Sequence, residues 1–146
     1  MKTTATVARI LLGLVFSAAG LSGFLLIGHP PAPPPGLAGD FQNVFFRSYW
    51  VLFVDGVELI GGLLLLTNRF VPLALALLAP VIANITVFHL TMAPQGLPVA
   101  FVVAMLWSVI ALRFRASFAP LFVQKPNVDE GGSPKVNVRN ASPARA

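Results

Sequence analysis

Long stretches without charge constrain this chain more than any other feature. The first, residues 10–27, contains no charged side chain. Because a helix rises about 1.5 Å per residue, this stretch crosses most of the roughly 30 Å core of a bilayer. Three further apolar stretches follow. The pattern predicts an all-α fold, a bundle of four transmembrane helices, with spans at about 7–27, 48–67, 71–91 and 97–114.

The composition also indicates a membrane protein. Hydrophobic residues make up 56% of the 146 residues and charged residues only 10%, whereas about a quarter of a soluble domain is charged. These values argue strongly against a soluble enzyme. The chain has no cysteine, which excludes a disulfide, a thiolate metal site or a dithiol relay built from its own residues.

The placement of the basic residues predicts the orientation. A four-span arrangement leaves Arg47 on one side and gathers most of the others on the opposite side: Lys2, Arg9, Arg69, Arg113, Arg115 and Lys125. The positive-inside rule then places both termini in the cytoplasm. The first span is longer than the 7–15 apolar residues of a signal peptide, so we expect it to be retained. The excess of positive charge therefore indicates topology, and no basic stripe predicts nucleic-acid binding.

Two segments fall outside the predicted bundle. Residues 29–47 begin with a proline-rich run that favours an extended external loop. Asp40 is then expected to cap a helix over residues 41–46, either interfacial or continuous with the second span. We expect residues 1–115 to form the membrane domain. Residues 116–146 are expected to form an interfacial segment and a disordered cytoplasmic tail, since this part is rich in Pro, Gly, Ser and Asn.

Two acidic residues of the second span suggest a ligand-binding pocket. Asp55 and Glu58 are three positions apart and therefore share one face of a helix. Placing a charged carboxylate near the middle of a bilayer costs on the order of several kcal/mol of free energy unless it is protonated, paired or hydrated. We therefore expect both side chains to face the bundle interior. Asn84 and His89 of the third span are expected to lie near them, with Asn84 hydrogen-bonded to an acid and His89 reaching Asp55 directly or through water.

Small residues predict where the first two spans pack. The predicted packing faces consist of Gly13, Ser17 and Gly20 on the first span, together with Gly61 and Gly62 on the second. Small side chains let membrane helices approach closely.

Each polar residue also has a purely structural interpretation. Glu58 can join two helices by a hydrogen bond, Asn84 can serve as interhelical glue, and His89 can be a partly hydrated surface residue. No catalytic residue and no metal site is predicted, because Asp55-x-x-Glu58 lacks the histidine of a di-iron motif. His29 and His89 both fall toward the outer side, which gives only weak support for a haem site.

The chain resembles the DoxX family of small bacterial four-helix membrane proteins over roughly residues 7–113. The resemblance rests on the opening of the first span at Arg9, on the segment around Glu58, and on the stretch from Asn68 to His89. The motifs themselves are Arg-Ile-Leu-Leu-Gly-Leu-Val-Phe, Gly-Val-Glu-Leu-Ile-Gly-Gly-Leu-Leu-Leu and Asn-Arg-Phe-Val-Pro-Leu-Ala. Many relatives place Lys or Asn late in the first helix, where this chain has Ser22-Gly23-Phe24.

The resemblance implies a multi-pass protein of the bacterial inner membrane linked to quinone, sulfur or oxidative-stress redox chemistry. We expect an accessory subunit that is not catalytic alone, with a quinone as the ligand of the pocket and a redox partner protein. The alternatives are a small proton or solute transporter, as a monomer or homo-oligomer, and a purely structural membrane partner.

Overall fold

The computed structural model describes residues 2–27 and 29–122, and within these ranges every regular secondary-structure element is a helix. Residues 1–115 and 116–146 form two separate units. The disordered tail predicted from the sequence falls largely on residues 123–146, outside the described residues. The helices are α1 (Lys2–Leu25), α2 (Leu37–Arg47), α3 (Trp50–Leu66), α4 (Val71–Thr91), α5 (Leu97–Arg113) and α6 (Arg115–Phe118), with short 3₁₀ turns at Pro94–Gly96 and Ala119–Phe122.

Three stretches of the described chain are each long and apolar enough to cross a membrane. They are Thr3–Leu25, Val71–Thr91 and Pro94–Arg113. Helices α2 and α3 meet the same test only as a pair, and they are bent by 85° at the break between them. The fold is therefore an all-helical membrane fold with three spans, or with four if the bent pair forms one span.

The outward faces of these helices are apolar. No more than 33% of the most apolar window of each spanning stretch is buried inside the protein. Large hydrophobic side chains are exposed on every one of these helices, among them Leu11, Leu14, Leu73, Val87, Phe101 and Leu112. Acyl chains solvate such a surface and water does not, so the fold is one that is embedded in lipid.

The buried core lies where four helices meet. Its largest fully buried side chains come from α1, α3, α4 and α5: Leu12, Phe16, Leu65, Leu75, Leu78 and Ile110. Trp107 of α5 donates its indole N–H to the carbonyl oxygen of Leu75 at 2.9 Å. This bond holds α5 against α4 just before Pro80, where the α4 ladder lacks one N–H.

Helices α1 and α3 pack with almost no side chain between their backbones. A Cβ atom placed on Gly20 would lie 2.5 Å from the backbone oxygen of Asp55, and one on Gly62 would lie 2.5 Å from the Ser17 nitrogen. Gly61 instead faces α4, where a Cβ would lie 2.8 Å from Leu78 Cγ. The expectation that Gly61 and Gly62 both face α1 therefore fails for Gly61, because adjacent residues point about 100° apart around a helix.

Helix α2 begins earlier than the sequence suggested. Its N-cap is Gly36, with a positive φ of 79°, and Asp40 lies in the first turn. The expected cap at Asp40 is therefore wrong. The prolines end at residue 35, so nothing prevents the helix from starting at Leu37, and Asp40 still lies close to the positive end of the helix. The 85° bend also means that α2 does not continue straight into α3.

Candidate functional site

Asp55 and Glu58 are the two buried charged residues of the described chain. Each is only 7% exposed, and they lie one turn apart in the first half of α3. Glu58 continues the helix face that carries Asp55, so both side chains point into the protein and away from the acyl chains. Such burial is costly for a carboxyl group inside a membrane, which makes the pair the natural centre of a site.

The Asp55 carboxyl group is pressed against α1. Its Oδ2 atom is buried and has no hydrogen-bond partner among the described residues. Gly23 of α1 leaves room for this oxygen, since any Cβ at position 23 would overlap it. Ser17 Oγ, farther along the same α1–α3 contact, is likewise buried without a described partner. Unpaired buried polar atoms are rare in native proteins and often mark a site of water, ligand or proton binding.

A cavity of about 220 Å³ opens beside the two acids, and we call it the Glu58 cavity. Its polar lining residues are Gln42, Asp55, Glu58, Asn84 and His89. Helices α2, α3 and α4 all contribute to it, and most of its remaining wall is aromatic. All four polar residues singled out from the sequence therefore line one cavity, although they do not bond to one another.

Among the described residues no direct hydrogen bond joins Asn84 or His89 to the acids, so the bond predicted for Asn84 is absent. A contact between His89 and Asp55 through water stays a prediction. Asn84 is exposed at the cavity rim. His89 Nδ1 lies 3.0 Å from the carbonyl oxygen of Ala93, and its ring rests on Gly96. A carbonyl oxygen only accepts, so Nδ1 carries a proton, and Nε2 of the neutral ring is an acceptor.

Helix α2 also contributes to the cavity, and nothing in the sequence pattern predicted this. Phe41 packs on Phe88 of α4, with 5.3 Å between ring centroids, and it stacks on Phe45 at 5.9 Å. Together with Gln42 these residues form the wall of the cavity opposite α3. The spacing of four between Phe41 and Phe45 indicates one helix face, but only the bend before α3 brings that face over the acids.

A larger, mostly apolar groove of about 550 Å³ adjoins the Glu58 cavity, and we call it the α2–α4 groove. It runs between α2, α3 and α4, where Phe53, Val57, Ala76, Leu77 and Pro80 contribute to its walls. The groove and the cavity share Phe41, Phe45, Val54, Val81 and Asn84. The two spaces are therefore neighbours separated only by common side chains.

The fold and the two buried acids define a class: small, helical membrane proteins with carboxyl groups enclosed between their helices. The model of the DoxX family matches residues 4–93, which is more than half of the chain. The chain therefore belongs to the DoxX family, and the resemblance inferred from its motifs is confirmed. The match includes every polar residue of the Glu58 cavity and ends before α5.

No curated protein matched the chain, and no solved structure matched its fold. In the described part of the chain, no three His, Asp or Glu side chains come together in a way that could hold a metal ion.

Proposed function

We propose that this protein is an accessory subunit of a membrane redox system and binds a quinone. The quinone head would occupy the Glu58 cavity, and its apolar tail would lie in the α2–α4 groove. One observation carries the proposal, namely that a cavity lined by two buried acids and three other polar residues shares its walls with a larger, mostly apolar groove. A molecule that fits both spaces has a compact polar head and a long apolar tail.

The dimensions and chemistry of the two spaces suit such a ligand. The groove volume of about 550 Å³ falls in the range of roughly 300–1,000 Å³ that is typical of small-molecule sites. Glu58 would accept a hydrogen bond or a proton from a quinol hydroxyl, with Asp55 beside it. His89 Nε2 offers a second acceptor, and the Gln42 amide offers N–H donors to a quinone oxygen. Asn84, at the rim shared with the groove, would orient the ring.

The accessory role rests on what the chain contains. It has no cysteine, so it cannot pass electrons through a dithiol of its own. Electrons would come from a partner protein in a quinone-linked, sulfur or oxidative-stress system, as the family resemblance implies. The setting would be the bacterial inner membrane, with four spans and both termini in the cytoplasm.

A second candidate function is the transport of protons or a small solute past the same acids. The unpaired buried oxygens of Asp55 and Ser17 favour it, because both lie on the α1–α3 contact and a chain of water molecules would pair them. A homo-oligomer would suit this role. The third alternative is structural, with the acids serving helix packing alone.

Quinone titration of the protein in nanodiscs tests the proposal. Replacement Glu58→Gln keeps the shape of the side chain but removes its charge and its capacity to take up a proton, so we expect quinone affinity to fall about tenfold. Asp40→Asn is the matched control, since Asp40 is exposed and lines neither the cavity nor the groove. Equal affinities of the two variants would refute the role of Glu58.

The groove requires a separate variant. Ala76→Phe fills the groove from α4, whereas Ala83→Phe places the same ring on an exposed part of α4 outside it. We expect Ala76→Phe to weaken binding of a long-tailed quinone much more than binding of a tailless analogue, and Ala83→Phe to change neither. If both quinones weaken alike, the tail does not lie in the groove.

Proton leak through proteoliposomes separates the alternatives. A leak that changes in Glu58→Gln while quinone binding stays unchanged supports transport. If neither changes and only thermal stability falls, the structural role is supported. Loss of quinone binding with an unchanged leak supports the redox role.

A further inference from the structure

A third cavity lies at the basic end of residues 1–115, where α1 begins and where α3 and α5 end. Its volume is about 260 Å³. The residues that line it are Ala5, Thr6, Arg9, Asn68, Arg113 and Phe114. Two arginines from different helices therefore line one small space, toward the opposite end of α3 from Asp55.

Arg9 is fixed at the edge of this cavity by the end of α3. Its Nη1 donates to the carbonyl oxygen of Leu65 and to that of Leu66 at 3.3 Å. These carbonyls belong to the last turn of α3 and carry its partial negative charge. The guanidinium group has five N–H donors in a rigid fork, and both of these bonds use the same nitrogen, Nη1.

The positive charge in the cavity is not balanced by a described side chain. The acidic residues of the described chain are Asp40 in α2, and Asp55 and Glu58 in the first half of α3. None of them lines this cavity. Two arginines with no described acid beside them repel each other, and a bound anion would remove that repulsion.

We propose that this cavity binds a phosphate group. The planar forks of Arg9 and Arg113 match phosphate oxygens in pairs, and the Asn68 amide provides further donors at the end of α3. The cavity lies at the ends of three membrane helices, the level at which lipid headgroups lie, so a phospholipid can supply the phosphate. A soluble phosphate compound offers the same chemistry, and the experiment separates the two sources.

Lipid binding to the delipidated full-length protein tests the proposal by native mass spectrometry. The probes are phosphatidylglycerol, whose headgroup is anionic, and phosphatidylcholine, whose headgroup is zwitterionic. The wild type is expected to bind one phosphatidylglycerol saturably and in preference to phosphatidylcholine. Arg113→Gln is expected to lower that affinity about tenfold. Arg69→Gln removes an exposed arginine from the same end of the bundle without touching the cavity, and it is expected to change the affinity less than about twofold.

A melting experiment with inorganic phosphate in lipid-free detergent identifies the source. A phosphate-dependent rise of the melting temperature that disappears in Arg113→Gln assigns the cavity to soluble phosphate. Its absence, together with Arg113-dependent phosphatidylglycerol binding, assigns the cavity to a lipid headgroup. If Arg113→Gln and Arg69→Gln weaken lipid binding equally, or if neither probe shows saturable binding that depends on Arg113, the proposal is overturned. Arg113 is exposed, so its replacement leaves the packing of the bundle intact.

Discussion

At the scale of single residues, the contact between Gly23 and Asp55 shows what the sequence could and could not predict. The burial of Asp55 and Glu58 could be anticipated, because a carboxyl group in lipid must turn inward. The three- and four-residue spacing of Gly13, Ser17 and Gly20 extends by three positions to Gly23, so this signal was present but unused. The exposure of Asn84 had no such signal. The side-chain amide of an asparagine in a membrane helix can find hydrogen-bond partners on several sides, so the residue type does not fix the direction in which it points.

Gly23→Ala tests the contact with Asp55. The new methyl group would overlap Asp55 Oδ2, so we expect the free energy of unfolding to fall by about 1–3 kcal/mol. Gly56→Ala in α3 is the matched control, because its Cβ would meet nothing closer than Phe24 Cζ at 4.0 Å. Gly56→Ala is expected to leave stability unchanged or higher. Denaturant titration in detergent measures the free energy of unfolding of both variants. If Gly23→Ala costs as much in an Asp55→Ala background as in the wild type, the Asp55 carboxyl group is not what the new methyl group overlaps.

At the scale of elements, the apolar helices could be predicted from the sequence, but the bend between α2 and α3 could not. The predicted third span, 71–91, coincides with α4 (Val71–Thr91), since Pro72 marks its start and the break at residues 93–96 marks its end. The second predicted span, 48–67, corresponds to α3, but hydropathy carries no information on the 85° bend before it. That bend arises at Tyr49, whose φ of 57° is left-handed. A tyrosine gives no sequence signal for this conformation, unlike glycine or asparagine.

Variants of Tyr49 test the bend between α2 and α3. Asn tolerates a left-handed backbone and Val, which is β-branched, does not. We expect Tyr49→Val to be less stable than Tyr49→Asn by about 1 kcal/mol, judged by unfolding in detergent. The two residues have similar helix propensities, so equal stabilities would mean that Tyr49 lies in a continuous helix and that the bend is absent.

At the scale of the whole molecule, the α1–α3 contact bears on the number of spans. Helix α3 runs antiparallel along α1, because its start packs on Gly20 and Gly23 while its end receives the hydrogen bonds of Arg9. Helix α1 is itself long and apolar enough to cross a membrane. A helix that accompanies it from position 23 back to position 9 crosses most of the same thickness, about 20 Å at 1.5 Å per residue. This geometry favours four spans over a re-entrant α2–α3 pair.

The absence of native cysteine makes the topology directly measurable. Single cysteines at Ala32, Asn68 and Gln95 report on the three connections between spans, and each position is exposed. With four spans and cytoplasmic termini, we expect an impermeant maleimide added to intact cells to label positions 32 and 95 and not position 68. If α2 and α3 instead enter and leave on one side, positions 32 and 68 lie together, and both are labelled or both are protected. Labelling after the membrane is permeabilised confirms that position 68 is reactive, so its protection in intact cells would place Arg9, Asn68 and Arg113 on the cytoplasmic side.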